Sequence, residues 1–171
     1  MKNTNTPRLG IDIGRVIIDG SSHPNGGDTA FFNGNEATML ATPEMDGGFE
    51  AIADLVDAFA GQVWLVSKCG QRVQARSTRW LKAHRFHERT GVEYANVRFC
   101  RRRPDKREHC VDLALTHFID DHPEVHRAIE DVVDHQFFFG PQRNAVPSYG
   151  THVMDWTEAR TAVLATLSLA G

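Results

Sequence analysis

"RLGIDIGRVIID", residues 8–19, governs how the rest of the chain is read. An apolar run climbs to Asp12, turns through Ile13, Gly14 and Arg15, resumes as Val16-Ile17-Ile18 and ends at Asp19. A short buried strand that delivers a carboxylate to its C-terminal end, followed at once by a glycine-permitted turn, is how open α/β sheets present chemistry. Taken alone, the stretch reads equally well as an ordinary first strand whose aspartate caps a turn. The residues downstream separate the two readings.

Residues 20–44 are rich in Gly, Ser, Asn, Pro and Thr around the pair Phe31-Phe32, and read as a mobile loop or minimal lid over the same sheet edge. Pro43 and Glu44 open a helix through Phe49, Ile52, Leu55, Val56 and Phe59 that stops at Gly61. Val63-Trp64-Leu65-Val66 is a continuous apolar run, expected as a buried parallel strand that ends in Ser67-Lys68-Cys69-Gly70. A helix over 71–86 follows, with Val73, Ser77, Trp80 and Leu81 toward the sheet, and then a brief strand at Val97-Arg98-Phe99. Asp105 is a candidate N-cap for a helix through Cys110, Leu113 and Ala114. His117-Phe118-Ile119 forms the next strand and delivers Asp120-Asp121, with Pro123 in the first turn of the helix after it. A fifth strand lies within 132–139, a sixth at 151–154, and an amphipathic helix closes the chain from Trp156 to Leu169. Strands alternating with helices imply a doubly wound, Rossmann-like parallel sheet with helices on both faces.

At 171 residues the chain is the length of a single domain, 1–171, able to bury about 70% of its unfolded surface. Apolar residues at 41% and charged residues at 24% are ordinary globular usage, and a net charge of −3 gives no global field for nucleic acid or an anionic membrane. Cys69, Cys100 and Cys110 are odd in number and lack the C-x-x-C spacing, which points to a reducing cytoplasm rather than to disulfides or a zinc ribbon. The polar start of the chain carries no apolar signal region, and no window is long and apolar enough for a membrane span.

Three strand ends carry polar groups, namely Asp12, Ser67 and Asp120-Asp121, and in a parallel sheet these ends share one edge. Lys106 opens the helix leading to the last of them. Carboxylates from two strands make a hard-oxygen site suited to Mg2+, and a hydroxyl with an ammonium suits a phosphoryl group.

In this order the motifs resemble those of the haloacid dehalogenase superfamily of phosphohydrolases: Asp12 in "GIDIGRVIID", Ser67 in "VWLVSKCG", Lys106 in "RPDKREHC" and Asp120-Asp121 in "FIDDHPEV". The resemblance implies a phosphatase in which Asp12 is the nucleophile and forms an aspartyl phosphate. It further implies that Mg2+ is held by Asp12, the Gly14 carbonyl and Asp121, with Asp120 either standing behind these ligands or replacing one of them. Ser67 and Lys106 then serve the phosphoryl group, and amides of the Ile13–Arg15 turn form an anion nest. Lys68 and Arg15 are candidate further substrate contacts, with Arg15 reading more simply as a solvent-facing cation. The implied partner is a small phosphorylated substrate.

The chain departs from the family pattern at Gly14, where the superfamily usually carries a second aspartate that protonates the leaving group. A positioned acid or base typically contributes about 10²–10⁴ in rate, most for alkoxide leaving groups and least for aryl or acyl phosphates. Gly14 therefore leaves open a non-enzymatic alternative, a phosphate- or partner-binding module on the same fold. Val125 also stands where the last motif often has Asp or Asn, with Glu124 beside it. About 47 residues separate Asp19 from Ser67 and about 38 separate Ser67 from Lys106, too few for a full cap domain in either gap. The stretch "RWLKAHRF…FIDDHPEV" is similar to small 5′-nucleotidases, which makes nucleotides one candidate class.

Other features read more plainly. Arg101-Arg102-Arg103 lacks interleaved aromatic residues and is expected as a solvated basic loop, so nucleic acid is not an expected partner. His122 and His126 share a helical face but have no further zinc ligands, and are expected at the surface. Cys69 is expected as a structural thiol, and Trp64, Trp80 and Trp156 as packing anchors.

Overall fold

The computed structural model describes residues 6–22 and 28–168. Six parallel strands form one sheet in the order β3-β2-β1-β4-β5-β6. They are β1 (Leu9–Ile11), β2 (Val63–Lys68), β3 (Val97–Cys100), β4 (His117–Asp120), β5 (His135–Phe139) and β6 (Gly150–Val153). The helices are α1 (Asp28–Asn33), α2 (Glu36–Leu40), α3 (Gly48–Ala58), α4 (Gln71–Ala83), α5 (Phe86–Thr90), α6 (Lys106–Asp112), α7 (Pro123–Ala128) and α8 (Trp156–Ser168). The expected doubly wound α/β architecture is present. Strand order reverses between β1 and β4, which places a ligand crevice at their C-terminal ends.

Side chains alternate across the sheet and so build two cores. Leu9, Ile11, Val63, Leu65, Ile119, Phe137 and Phe139 face the larger one, under α3, α4 and α8. Trp64, Val66 and Phe118 face the smaller one with Cys110, Val125 and Ile129 of α6, α7 and the residue that follows α7. Gly10 belongs to that second face, where a Cβ would stand 2.5 Å from the Phe118 ring and 2.7 Å from Leu115. The absent side chain lets Phe118 lie over the neighbouring strand.

Several boundaries differ from the sequence reading. The resumed apolar run Val16-Ile17-Ile18 forms no strand of the sheet. After β1 the chain wraps around the Ile13 carbonyl, which accepts from the Val16, Ile17 and Ile18 amides. Left-handed backbone falls on Arg15 (φ 61°) and not on Gly14. The 20–44 stretch is no structureless loop, since it holds a 3-10 turn at Gly20–Ser22 followed by α1 and α2; its residues 23–27 lie outside the described residues. The next helix begins at Gly48 rather than at Pro43-Glu44, because the Ile17 carbonyl draws in the Met45 amide and the Pro43 carbonyl draws in the Asp19 amide. The 71–86 helix ends at Ala83, and a left-handed Arg85 starts the separate α5. The fifth strand starts at His135, the sixth runs from Gly150 to Val153, and the last helix is described to Ser168, with Leu169 outside the described residues. Among the described residues no helix is long and apolar enough to cross a membrane.

Two indole N–H groups pin this scaffold. Trp156 Nε1 donates to the Val16 carbonyl at 2.7 Å and Trp80 Nε1 to the Thr42 carbonyl at 2.8 Å, both fully buried. The expected packing anchors therefore also fix the turn after β1 and the approach to α3.

Gly10→Ala should lower the unfolding free energy by about 1–3 kcal/mol, since Phe118 must leave its place in a filled core. Urea unfolding with an unchanged m-value checks this.

Candidate active site

Asp12 follows β1 directly, and its amide donates to the Ile119 carbonyl of β4 at 3.0 Å, so the two central strands set its position. Asp120 ends β4. Lys106 opens α6 after the 3-10 turn Arg103–Asp105 and reaches back between the two carboxylates. Its Nζ lies 2.7 Å from Asp12 Oδ1 and 2.6 Å from Asp120 Oδ2, with only 2% of the side chain exposed. The second Asp120 oxygen accepts from the His122 amide at 2.9 Å. Both Asp120 oxygens are thus engaged, whereas Asp12 meets Lys106 through Oδ1 and lines the cavity.

Asp121 brings the third carboxylate. Carboxylate oxygens of Asp12, Asp120 and Asp121 lie within 4.8 Å of one another. The Lys106 ammonium meets two of them directly, and the excess of negative charge shows at Asp12 and Asp121. Burial and then the Asp120 charge push Asp12 up to about 6 in spite of Lys106. Burial, Asp120 and Asp12 push Asp121 up to about 8. Burial pulls Lys106 down, but Asp12 and Asp120 override it and hold its pKa above the usual lysine range.

These groups floor a cavity of about 410 Å³ that Ser67, Lys68, Gly14 and Arg15 also line. Ser67 is buried, and its hydroxyl has no hydrogen-bond partner among the described residues. Every residue expected at the site is brought to this edge. Two details go beyond the sequence reading. The Arg15 guanidinium is largely exposed, lines the cavity and is engaged there with Asp28 of α1. The turn offers less of an anion nest than expected, because the Arg15 amide is spent on the Ile18 carbonyl; the Gly14 amide has no partner among the described residues.

The two histidines differ in kind. His122 caps α7, its Nδ1 accepting from the Glu124 amide at 3.3 Å, and burial and then Arg103 lower its pKa. His126 is fully buried and not at the surface. One ring nitrogen bonds the Asp120 carbonyl at 2.9 Å, the other lies 2.9 Å from the Gln136 side chain, and the ring stacks on Phe138. It braces the end of β4 from behind, and its place on the Val125–Ile129 stripe was the available signal. Cys69 is pushed up to about 11 by burial, Cys100 and Asp12, as suits a structural thiol. In the basic run, Arg102 closes on Asp105, while Arg103 lines the cavity and pairs with Glu124 at 3.9 Å.

Sequence reasoning missed Arg76. It is 7% exposed, and its guanidinium donates to the Phe31 carbonyl at 2.7 Å and the Gly34 carbonyl at 2.5 Å, clamping the end of α1 to α4. A cation on the same helical stripe as Val73, Ser77 and Trp80 was the signal for it.

No protein-family model matches the sequence, and no curated protein matches it. Among solved structures the chain is similar to a haloacid dehalogenase-like family hydrolase from Xanthomonas campestris, with 12% identity, a TM-score of 0.69, and 96% of this chain and 97% of that chain covered. The fold is haloacid dehalogenase-like. In that fold the chain keeps an aspartate, a serine, a lysine and an acidic pair at one sheet edge, with glycine two residues after the first aspartate.

The raised carboxyl pKa values make stability depend on pH in a defined sense. Carboxyls that titrate near 6 and 8 when folded, against 3.8 as the ordinary value, bind protons more tightly in the native state. Their stabilisation is complete below about pH 4 and is lost as pH rises through 6 and 8. With EDTA present, unfolding should therefore become easier from pH 5 to pH 8. Millimolar Mg2+ should raise the melting temperature more at pH 8 than at pH 5.

Proposed function

We propose that this chain is a Mg2+-dependent phosphomonoesterase that works through a phosphorylated Asp12. The observation that carries the reading is the Lys106 ammonium held between Asp12 and Asp120 on the floor of a cavity that Ser67 also lines. Lys106 fixes one Asp12 oxygen and leaves the other to attack phosphorus. The new Asp12–phosphorus bond forms as the ester P–O bond breaks, and the electron pair departs with the leaving oxygen. Ser67 donates to a phosphoryl oxygen, and Lys106 and Lys68 offset the charge there. Water then attacks the acyl phosphate, which releases phosphate and restores Asp12.

The donor set fits a small hard cation, since three clustered carboxylates share one ammonium and two of them hold protons too tightly without further positive charge. Asp12, Asp121 and the Gly14 carbonyl would hold Mg2+, with Asp120 behind them because both its oxygens are already engaged. Bound there, the ion supplies the positive charge that a phosphoryl group needs beside these carboxylates. Gly20, Asp28, Phe31 and Phe32 of the 20–44 segment line the cavity and would cover a small phosphorylated substrate there, without a full cap domain.

Gly14 favours a second reading, a phosphate-binding module on the same fold without turnover. Hydrolysis of p-nitrophenyl phosphate in MgCl2 or EDTA, for wild type and Asp12→Asn, separates them. Metal-dependent turnover that vanishes in Asp12→Asn is the expected result. Phosphate binding with no turnover would favour the module, and turnover indifferent to Asp12→Asn would overturn the assignment.

Gly14→Asp is a gain-of-function test. No atom lies within 4 Å of a Cβ built at Gly14, so the carboxyl has room. Hydrolysis of alkyl phosphates should rise by about 10²-fold or more, with much less change for aryl esters.

A further inference from the structure

The cavity has an aromatic wall that the hydrolytic reading does not use. Phe31 and Phe32 end α1 with their rings edge to face at 5.7 Å, and both line the cavity floored by Asp12. Phe31 is buried, but Phe32 keeps 42% of its surface exposed, one of few large apolar side chains so placed. This face is held in position. Arg76 of α4 clamps the Phe31 and Gly34 carbonyls from a buried site, and Arg15 of the turn after Asp12 pairs with Asp28 at the start of α1. Gly14 lines the same cavity and leaves the space beside the nucleophile open.

We infer that this site selects aryl phosphomonoesters, with the substrate ring seated against Phe32 in the space that Gly14 leaves free. The inference rests on the phosphatase reading and names the substrate class for that site. Leaving-group chemistry points the same way as the wall. A phenolic oxygen has a pKa of about 10, as in tyrosine, whereas an aliphatic alkoxide lies near water at about 15.7. The loose transition state of phosphoryl transfer places charge on the leaving oxygen. A site with no acid on the turn can therefore expel a phenolate and stalls on an alkoxide. The ring itself carries a hydrophobic payload that an edge-to-face or offset contact with Phe32 rewards. A cavity of about 410 Å³ accommodates one ring and its phosphate, at the small end of ligand sites.

The test pairs binding with turnover, in Mg2+, for wild type and Phe32→Ala, whose exposed position keeps the fold intact. Binding is measured with phenylphosphonate and methylphosphonate, and kcat/KM with phenyl phosphate, benzyl phosphate and a phosphotyrosyl peptide. Phenylphosphonate should bind about three- to tenfold more tightly than methylphosphonate, and the ratio should fall to near one in Phe32→Ala. Phenyl phosphate should exceed benzyl phosphate by at least about 10²-fold in kcat/KM, and Phe32→Ala should lower the phenyl value three- to tenfold. Turnover of the peptide would identify the aryl group as a protein side chain, and its absence beside phenyl phosphate turnover a small-molecule phenol. Ring-independent binding with phenyl and benzyl esters cleaved alike overturns the inference and leaves the phosphatase reading standing. Ring-dependent binding that Phe32→Ala abolishes, with no turnover of any ester, upholds the aryl subsite and sinks the phosphatase reading instead.

Discussion

A lysine ammonium buried to 2% exposure is tolerable only because two carboxylates meet it, Asp12 at 2.7 Å and Asp120 at 2.6 Å. Such a group adds little net stability over an apolar core, yet losing one partner typically costs about 3–5 kcal/mol because the remaining charge is stranded. The triad therefore acts as a constraint on geometry. It ties the residue after β1, the last residue of β4 and the first residue of α6 to one point, and the neighbouring register Ile11 to Ile119 keeps the two strand ends level. Everything the cavity can do begins from the position this enforces.

The surrounding structure turns that point into a rigid floor. The 13–18 turn has no regular secondary structure, but four of its six carbonyls are engaged. Ile13 accepts three amides, Val16 accepts the Trp156 indole, Ile17 the Met45 amide and Ile18 the Arg15 amide. Preorganised polar groups are worth most where charge must be stabilised without rearrangement. The α1 wall is attached differently. Its ion pair with Arg15 is solvent-exposed and contributes little by itself. The Arg76 bonds to two carbonyls are shielded from water, so the register of Phe31 and Phe32 depends on α4 more than on the turn.

Sheet architecture and the floor of the site were legible because both follow from strong local signals. Apolar runs ending in Asp12, Ser67 and Asp120 read as buried strands, and parallel packing alone brings their ends to one edge. Lys106 was legible from its place ahead of the β4 run. The walls were not legible, because they depend on long-range hydrogen bonds with no local signature. Residues 20–44 have a loop-like composition, yet α1 and α2 are held there from α4 and its C-cap: Arg76 donates to the Phe31 and Gly34 carbonyls around the end of α1, and His84 bonds the Leu40 carbonyl that ends α2. The pairing of Arg15 with Asp28 needs a fold before it exists, and so does the burial of His126 against Phe138. The opening helix shifted from 43 to 48 for a similar reason, since Pro43 and Met45 serve the turn after β1 instead.

Gly14 and Arg15 reverse the usual division of labour in a tight turn. The left-handed residue is Arg15, at φ 61°, which costs roughly 1–2 kcal/mol for a side chain with a Cβ. Gly14, one residue earlier, has no left-handed backbone and would accept a Cβ without contact. Backbone freedom therefore does not explain the glycine, and backbone strain is carried at the position where a glycine would have relieved it. Two chemical consequences follow from the side chains rather than from the turn. At position 15 a guanidinium ties the floor to the α1 wall, which a glycine could not do. At position 14 the absence of a carboxyl removes a proton donor and a negative charge from the mouth of a cavity already crowded by three carboxylates. A phosphate ester entering such a site meets less repulsion and gets no help from this turn in protonating its leaving oxygen. The esters best matched to that balance are those whose leaving group is stable as an anion, and a ring that stabilises the anion by resonance is also the shape that Phe32 can hold.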